Sequence, residues 1–268
     1  MQADPSQLLS AAVFAGAIAL TSSRLKFLTP GGSIAQFFLG WALLGLGGWN
    51  WTVPILIFFV SSSLLSRIGR LKKRDIEDHY AKSGSRDAGQ VLAHGGVAGI
   101  LVFLNAVVPL QIWYPMFLGA IAAASADTWA TEAGSLSRTR PVLVSTFAVV
   151  EPGTSGAVTV LGSLAGGLGA SLIALSGLVW WSGGSGALFL IVLSAVGMIG
   201  SLVDSFLGAA QQSKYRCPIC SKTTEKVIHC GRSGDLVAGQ RWMTNDLVNL
   251  LCTGTGAILA FLAVELAF

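Results

Sequence analysis

The stretch ADTWATEAGSLS, Ala126 to Ser137, closes an alanine-rich apolar run that begins at Met116. A charge held at mid-span in lipid costs about 2.5–3.5 kcal/mol on insertion scales, so an intramembrane acid marks a functional position by default. On a helix Asp127 and Thr131 are four apart and share a face, while Thr128 and Glu132 share the neighbouring one. Together they form one stripe of oxygen ligands at a membrane–water boundary. PGTSGAV, Pro152 to Val158, follows it, and its glycines allow the backbone to approach an anion closely.

The surrounding chain reads as the frame of this patch. Of its 268 residues 53% are hydrophobic and 11% charged, against about 25% charged in soluble domains. The mean hydropathy is +0.68. These values predict an all-α, polytopic membrane bundle, a single integral-membrane domain over residues 1–268. The 33 glycines suit close helix packing in lipid. Four cysteines are too few and too one-sided for a secreted disulfide framework. The amino-terminal MQADPSQ has neither the basic segment of a signal peptide nor the Arg/Ser-rich character of a transit peptide. The expected host is therefore a bacterial inner membrane, with a chloroplast membrane as the alternative.

Eight spans are predicted: 7–23, 33–48, 51–66, 89–107, 111–130, 157–181, 187–210 and 244–268. The first three are shorter than the ~20 residues of a perpendicular helix, so partial re-entry or local bilayer thinning is expected there. Every Lys and Arg falls in alternate connections: Arg24 and Lys26, Arg67 to Arg86, Arg138 and Arg140, Lys214 to Arg241. The connections near Asn50, Pro109 and Gly183 carry none. The positive-inside rule puts the basic connections, including the loops 67–88 and 211–241, in the cytoplasm and both termini outside. The pI near 9.0 thus reflects topology, and nucleic acid is excluded as a partner. Trp49, Trp51, Trp113, Tyr114, Trp180 and Trp181 flank the uncharged connections and read as the outer aromatic belt.

On that topology the acids converge. Asp127, Asp204 and Asp246 lie at the cytoplasmic ends of three spans, and Asp87 immediately precedes a fourth. Carboxylates with hydroxyl and amide oxygens suit Mg²⁺, which takes one or two carboxylates plus substrate phosphates. Arg138, Arg140 and the Lys72–Lys73–Arg74 run are candidate phosphate clamps. The plainer readings stand beside these. Span-end acids are commonly solvated or cap a helix, as Asn245 or Asp246 can for the last span. Basic runs signal topology and contact lipid headgroups. His94, in LAHGG, is more often a satisfied hydrogen-bonding group than a base. Cys217, Cys220, His229 and Cys230 can hold a structural Zn²⁺, although adjacent His229 and Cys230 are an awkward pair for one ion; free thiols or a labile pair are the alternatives. Cys252 reads as packing.

Four motifs, ADTWATEAG, PGTSGAVTVLG, GSLVDSFLGA and NDLVN, resemble in this order the integral-membrane family of transmembrane protein nineteen, which includes the phytyl-phosphate kinase of vitamin E biosynthesis. The resemblance covers roughly residues 86–256. That family is distantly similar to dolichol kinase and CDP-diacylglycerol synthase, to whose metal- and nucleotide-binding elements Asp127–Ala130, Pro152–Ala157, Gly200–Ser205 and Asn245–Asn249 correspond; no lysine occupies the second. The resemblance implies catalytic roles for Asp127, Glu132 and Asp204, and Mg²⁺ held by Asp127, Asp204 and Asp246. It implies nucleotide or phosphate contacts from Thr128, Thr131, Arg138, Gly153, Thr154, Ser155, Gly156, Asp87, Asn245, Asp246 and Asn249.

The function so implied is a membrane-bound kinase that uses a nucleoside triphosphate, CTP first, to convert an isoprenyl monophosphate such as phytyl phosphate to the diphosphate at the cytoplasmic face. Its partners are the bilayer, the isoprenyl phosphate and the nucleotide, and a homodimer is left open. A transporter or scramblase of a phosphorylated lipid is the alternative, since polar cavities among glycine-interrupted helices also form substrate pathways. The bunching of polar residues at one face, with the outer half nearly free of charge, favours one-sided chemistry. A scaffold that docks a partner through its cysteine loop leaves the ordered acid motifs without a purpose.

Overall fold

A computed structural model describes residues 4–68 and 84–267. The Lys72–Lys73–Arg74 run lies outside them. Among the described residues, eight α-helices match the eight predicted spans: α1 (Pro5–Arg24), α2 (Pro30–Ala42), α3 (Trp49–Arg67), α4 (Ala88–Val107), α5 (Trp113–Gly134), α6 (Val160–Leu178), α7 (Gly186–Ala210) and α8 (Asn245–Ala267). A π-helical turn, Leu43–Gly47, extends α2.

Local chemistry sets the helix starts. Asp4 accepts from Ser6 N ahead of Pro5, and Thr29 accepts from Gly32 N ahead of Pro30. Thr29-Pro30-Gly31-Gly32 is therefore a cap and first turn, since proline fits the first helical position where its missing N–H is not needed. Pro54 lies inside α3. Its missing N–H leaves the Asn50 carbonyl without a helical donor, and Tyr114 OH takes that carbonyl at 3.3 Å.

α5 is the axis of the bundle. Phe117, Leu118, Ala120, Ile121 and Ala122 to Ala124 are fully buried, with α6, α7 and α8 packed around them and α3 and α4 on the remaining side. Among the described residues, six helices are long and apolar enough to cross a membrane alone: α1, α3, α4, α6, α7 and α8. α5 is not one of them, because Trp, Tyr, Pro and its polar residues lower its mean hydropathy; jacketed by protein, it has no need to dissolve in lipid. Close approach comes from small residues. A Cβ on Gly119 would overlap the Gly256 carbonyl of α8, and one on Gly256 would overlap the Gly119 carbonyl. Ser125 Oγ donates to Gly169 O on α6 at 3.0 Å. Gly256→Ala is expected to destabilise the detergent-solubilised protein by about 1–3 kcal/mol, the scale of overpacking. Gly254, with open space at its Cβ position, is the control: Gly254→Ala should leave the thermal midpoint unchanged or slightly higher.

The four basic connections gather at one end of the bundle, where Lys26, Arg67, Arg86, Thr139 and Glu225 line a common cavity. At the other end Tyr114 OH bonds Asn50 O and Gly177 O, both at 3.3 Å, tying α3, α5 and α6 together. Trp49 and Trp180 are exposed there, as belt residues should be, but Trp51 is 2% exposed and packs on Phe117 at 4.8 Å. It is a core residue, because the α3 turn that carries it faces α5.

Outside the helices, β1 (Val142–Leu143) pairs antiparallel with β2 (Ala157–Val158). β3 (Lys214–Arg216) lies between β4 (Thr223–Thr224) and β7 (Asp235–Ala238), and β5 (Ile228–His229) pairs with β6 (Arg232–Ser233). The 211–241 connection is thus a small β-ribbon rather than a plain loop. Strands of two to four residues are too short to leave a period-2 signature.

Candidate functional site

Helical spacing builds the site. α5 supplies Asp127, Thr128, Thr131 and Glu132; α7 supplies Ser201, Asp204 and Ser205; α8 supplies Asn245 and Asn249; α4 supplies Gln90 and His94; α3 supplies Ser63, Ser66 and Arg67. Positions three or four apart lie on one helix face, so each helix turns a polar pair into the same space, a cavity of about 540 Å³. Gly153 to Gly156 close it from the loop that follows α5.

At its floor Asp127 from α5 and Asp204 from α7 approach each other, both lining the cavity. Asp204 Oδ2 is buried with no hydrogen-bond partner among the described residues. Two charged carboxylates placed this close repel each other unless a cation lies between them. An oxygen-only donor set of two carboxylates, threonine and serine hydroxyls and the Asn249 amide suits a hard divalent cation such as Mg²⁺.

Cations line the same cavity: Arg86, Arg67 and Lys26. Arg86 is held by its backbone, its N–H donating to Phe27 O at 3.0 Å and its carbonyl accepting from Thr29 N at 2.9 Å. Its guanidinium lies 5.9 Å from the Phe58 ring centroid. Burial draws Arg86 below the usual guanidinium range, and the nearby Glu132 opposes that shift. Glu132 accepts from Ser66 Oγ at 2.5 Å. Arg67 stacks over Phe27, 4.0 Å from the ring centroid, and donates to Leu25 O.

A second, apolar groove adjoins this chamber. It runs among α1 to α4, lined by Phe14, Ile18, Leu39, Leu43, Ile55 and Phe59, and it shares Arg86, Gln90 and His94 with the polar cavity. His94 packs edge-on against Phe58, centroids 5.8 Å apart, and its Nδ1 is buried without a hydrogen-bond partner among the described residues.

A family model for "Integral membrane protein DUF92" matches residues 13–257. The chain belongs to this DUF92 family of integral membrane proteins. The DUF92 chain is 31% identical over 270 residues to Protein PGR of Arabidopsis thaliana, covering 91% of its own length and 92% of that relative. It is 35% identical over 198 residues to an uncharacterized membrane protein of Methanocaldococcus jannaschii, covering 74% and 80%. To Protein VTE6, chloroplastic, of Arabidopsis thaliana it is 24% identical over 243 residues, covering 88% and 65%. No solved structure matches the chain.

Of the residues singled out by sequence in this DUF92 chain, Asp127, Thr128, Thr131, Glu132, Asp204, Asn245, Asn249 and Gly153 to Gly156 line one cavity. Four of the described candidate acids and cations do not line it. Asp87 is the N-cap of α4, in a reciprocal capping box with Gln90 at 2.9 and 3.1 Å. Asp246 is in the first turn of α8 but outside the lining, and the capping oxygen there is Thr244 Oγ1, which accepts from Leu247 N at 3.4 Å. Arg138 is exposed, and Arg140 pairs with exposed Glu151 at 4.0 Å, a contact worth little in water. Ser155 also differs from the expected phosphate cradle: its hydroxyl bonds Gly208 O at 3.1 Å and Gln212 Oε1 at 2.9 Å, pinning the loop to α7. The cavity's cations, Arg86, Arg67 and Lys26, were read from sequence as topology markers. The signal that could have found Arg86 is its place at the head of the polar string RDAGQVLAH, four residues before Gln90 and eight before His94, which share one face of α4.

Proposed function

We propose that this DUF92 protein transfers a phosphoryl group from a nucleoside triphosphate to an isoprenyl monophosphate at the cytoplasmic membrane face. The observation that carries this reading is the junction at Arg86, Gln90 and His94 between an apolar groove and a polar chamber with paired carboxylates at its floor. A lipid phosphate matches that division, with the start of its tail among Phe14, Ile18, Leu39 and Phe59, in a groove of about 70 Å³, and its phosphate at Arg86. The ordered resemblance to phytyl-phosphate kinase supports the same reading, with CTP as the first nucleotide to test.

In the reaction an oxygen of the acceptor monophosphate attacks the γ-phosphorus. The bond from that phosphorus to the β,γ-bridging oxygen breaks, and the nucleoside diphosphate leaves. The acceptor is already an anion, so positioning and charge neutralisation carry the step rather than a strong base. Arg86 orients the acceptor phosphate, with Glu132 and Ser66 holding the wall beside it. Asp127 and Asp204, with the Thr128 and Thr131 hydroxyls, would hold Mg²⁺, whose charge offsets that of the phosphoryl oxygens. The apolar groove and the core below the acids keep bulk water from competing with the acceptor.

The test is transfer of label from γ-labelled CTP or ATP to phytyl, geranylgeranyl or farnesyl monophosphate by the purified protein in detergent with Mg²⁺. Label in a prenyl diphosphate is expected. Absence of label with every acceptor, from protein shown to be folded, together with nucleotide-free flux of the lipid phosphate in proteoliposomes, would replace the kinase with a carrier.

A further inference from the structure

The ribbon between α7 and α8 has almost no core of its own. Tyr215 and Cys217 are buried, but Ile219, Val227, Ile228 and Val237 are exposed, Ile228 at 67%. A β-segment this small needs something other than apolar burial to hold one shape. Its four remaining candidates for that task come together in space. The sulfurs of Cys217, Cys220 and Cys230 and a ring nitrogen of His229 all lie within 4.8 Å of one another. His229 Nδ1 is 3.4 Å from Cys220 Sγ and 3.3 Å from Cys230 Sγ. Zn–S bonds of about 2.3 Å and Zn–N bonds of about 2.0 Å put tetrahedral neighbours about 3.5–3.8 Å apart.

The adjacency of His229 and Cys230 is resolved by the turn that joins β5 to β6. Neighbours along an extended strand point to opposite faces. Cys230 instead has φ +51°, and Gly231 φ +73°, the two left-handed central residues of a tight hairpin. Cys230 is thereby turned to the same side as His229. Left-handed backbone is costly for a residue with a Cβ and persists where its surroundings require it, ligand clamps among them. On the other side, Cys217–Cys220 forms a closed knuckle: Ser221 N donates to Cys217 O and Cys217 N to Lys222 O, both at 2.9 Å. Ile219 N points at Cys217 Sγ at 3.4 Å, a contact that suits a thiolate.

We infer that Cys217, Cys220, His229 Nδ1 and Cys230 form a Cys₃His site for one structural Zn²⁺ that gives the 214–238 ribbon its shape. The ribbon in turn meets the cavity. Lys214 Nζ donates to Ser155 O at 3.4 Å, and Glu225, just beyond β4, joins the cavity lining. The metal thus sets the position of the wall on that side without touching the carboxylates.

The test needs no enzymatic activity, so its outcome is separate from that of the kinase reading. Full-length protein purified in detergent from zinc-supplemented medium should contain one zinc per chain by elemental mass spectrometry. Exchange for cobalt(II) should give the visible bands of a tetrahedral ion and a near-ultraviolet thiolate charge-transfer band. Both signals should be lost in the double variant Cys217→Ser/Cys220→Ser and kept in Asp127→Asn, and in wild-type protein a mercurial that caps thiols should release the zinc stoichiometrically. Zinc-free folded protein, a disulfide between Cys217 and Cys220, or metal retained after thiol capping would overturn the site.

Discussion

Asp127→Asn is expected to lower phosphoryl transfer by on the order of 10³-fold, the scale of losing one preorganised electrostatic contact in a dry site. The reason is the pairing at the cavity floor. Asp127 reaches Asp204 from α5, and Asp204 keeps a buried oxygen without a hydrogen-bond partner among the described residues. Amidation removes the charge that makes the pair a cation site while conserving shape. Asp204→Asn should act alike, and the double variant should be hardly worse than either single one, as for groups that work as a unit. A purely structural role predicts the opposite signature. Relieving two carboxylates placed this close removes a repulsion, so the thermal midpoint of Asp127→Asn should hold or rise while activity disappears. A fully active Asp127→Asn protein would remove the carboxylate pair from the mechanism.

Arg86→Ala is expected to lower kcat/KM for the lipid acceptor by on the order of 10²-fold, matching the loss of about 2–3 kcal/mol for a charged hydrogen bond. Among the described residues Arg86 is the cation that lines both the chamber and the apolar groove, and its backbone bonds to Phe27 and Thr29 hold it there. The loss should fall mainly on KM for the prenyl phosphate, with the KM for nucleotide little changed. Arg86→Lys should recover part of it, since lysine restores the charge but not the planar fork that grips two phosphate oxygens. Equal losses for both substrates would place Arg86 with the nucleotide instead. An unchanged kcat/KM for the acceptor would detach the groove from the reaction.

Much of the architecture is legible in the chain because lipid makes it so. Water is absent from the bilayer interior, so spanning segments must be helical and mostly apolar, and their lengths show as runs. Charge placement marks the connections, and all four basic connections meet at one end. The stripe Asp127–Thr128–Thr131–Glu132 was readable too, since helical spacing is a local rule. What was not readable depends on contacts between distant segments. Asp87 and Asp127 are both acids near a span end, yet Asp87 is satisfied by its own helix through Gln90 whereas Asp127 faces Asp204 across the bundle. Composition cannot separate a cap from a ligand. The capping pattern Asp-x-x-Gln can, and it was present in the sequence.

Trp51 shows the same limit. Beside Trp49 it looks like an interface anchor, and only the rotation of α3 against α5 places it on Phe117. The ribbon shows it most sharply. Its cysteines and histidine announce metal ligands by type, but whether adjacent His229 and Cys230 can face one point depends on the left-handed turn at Cys230 and Gly231, which the pattern of ligand side chains does not encode. Local rules, helical periodicity and the cost of charge in lipid, act on neighbours in sequence and so can be read from it. The approach of two acids on different helices, the placing of half-buried Arg86 between cavity and groove and the closing of a four-ligand cluster are set by packing, and packing exists only once the chain has folded.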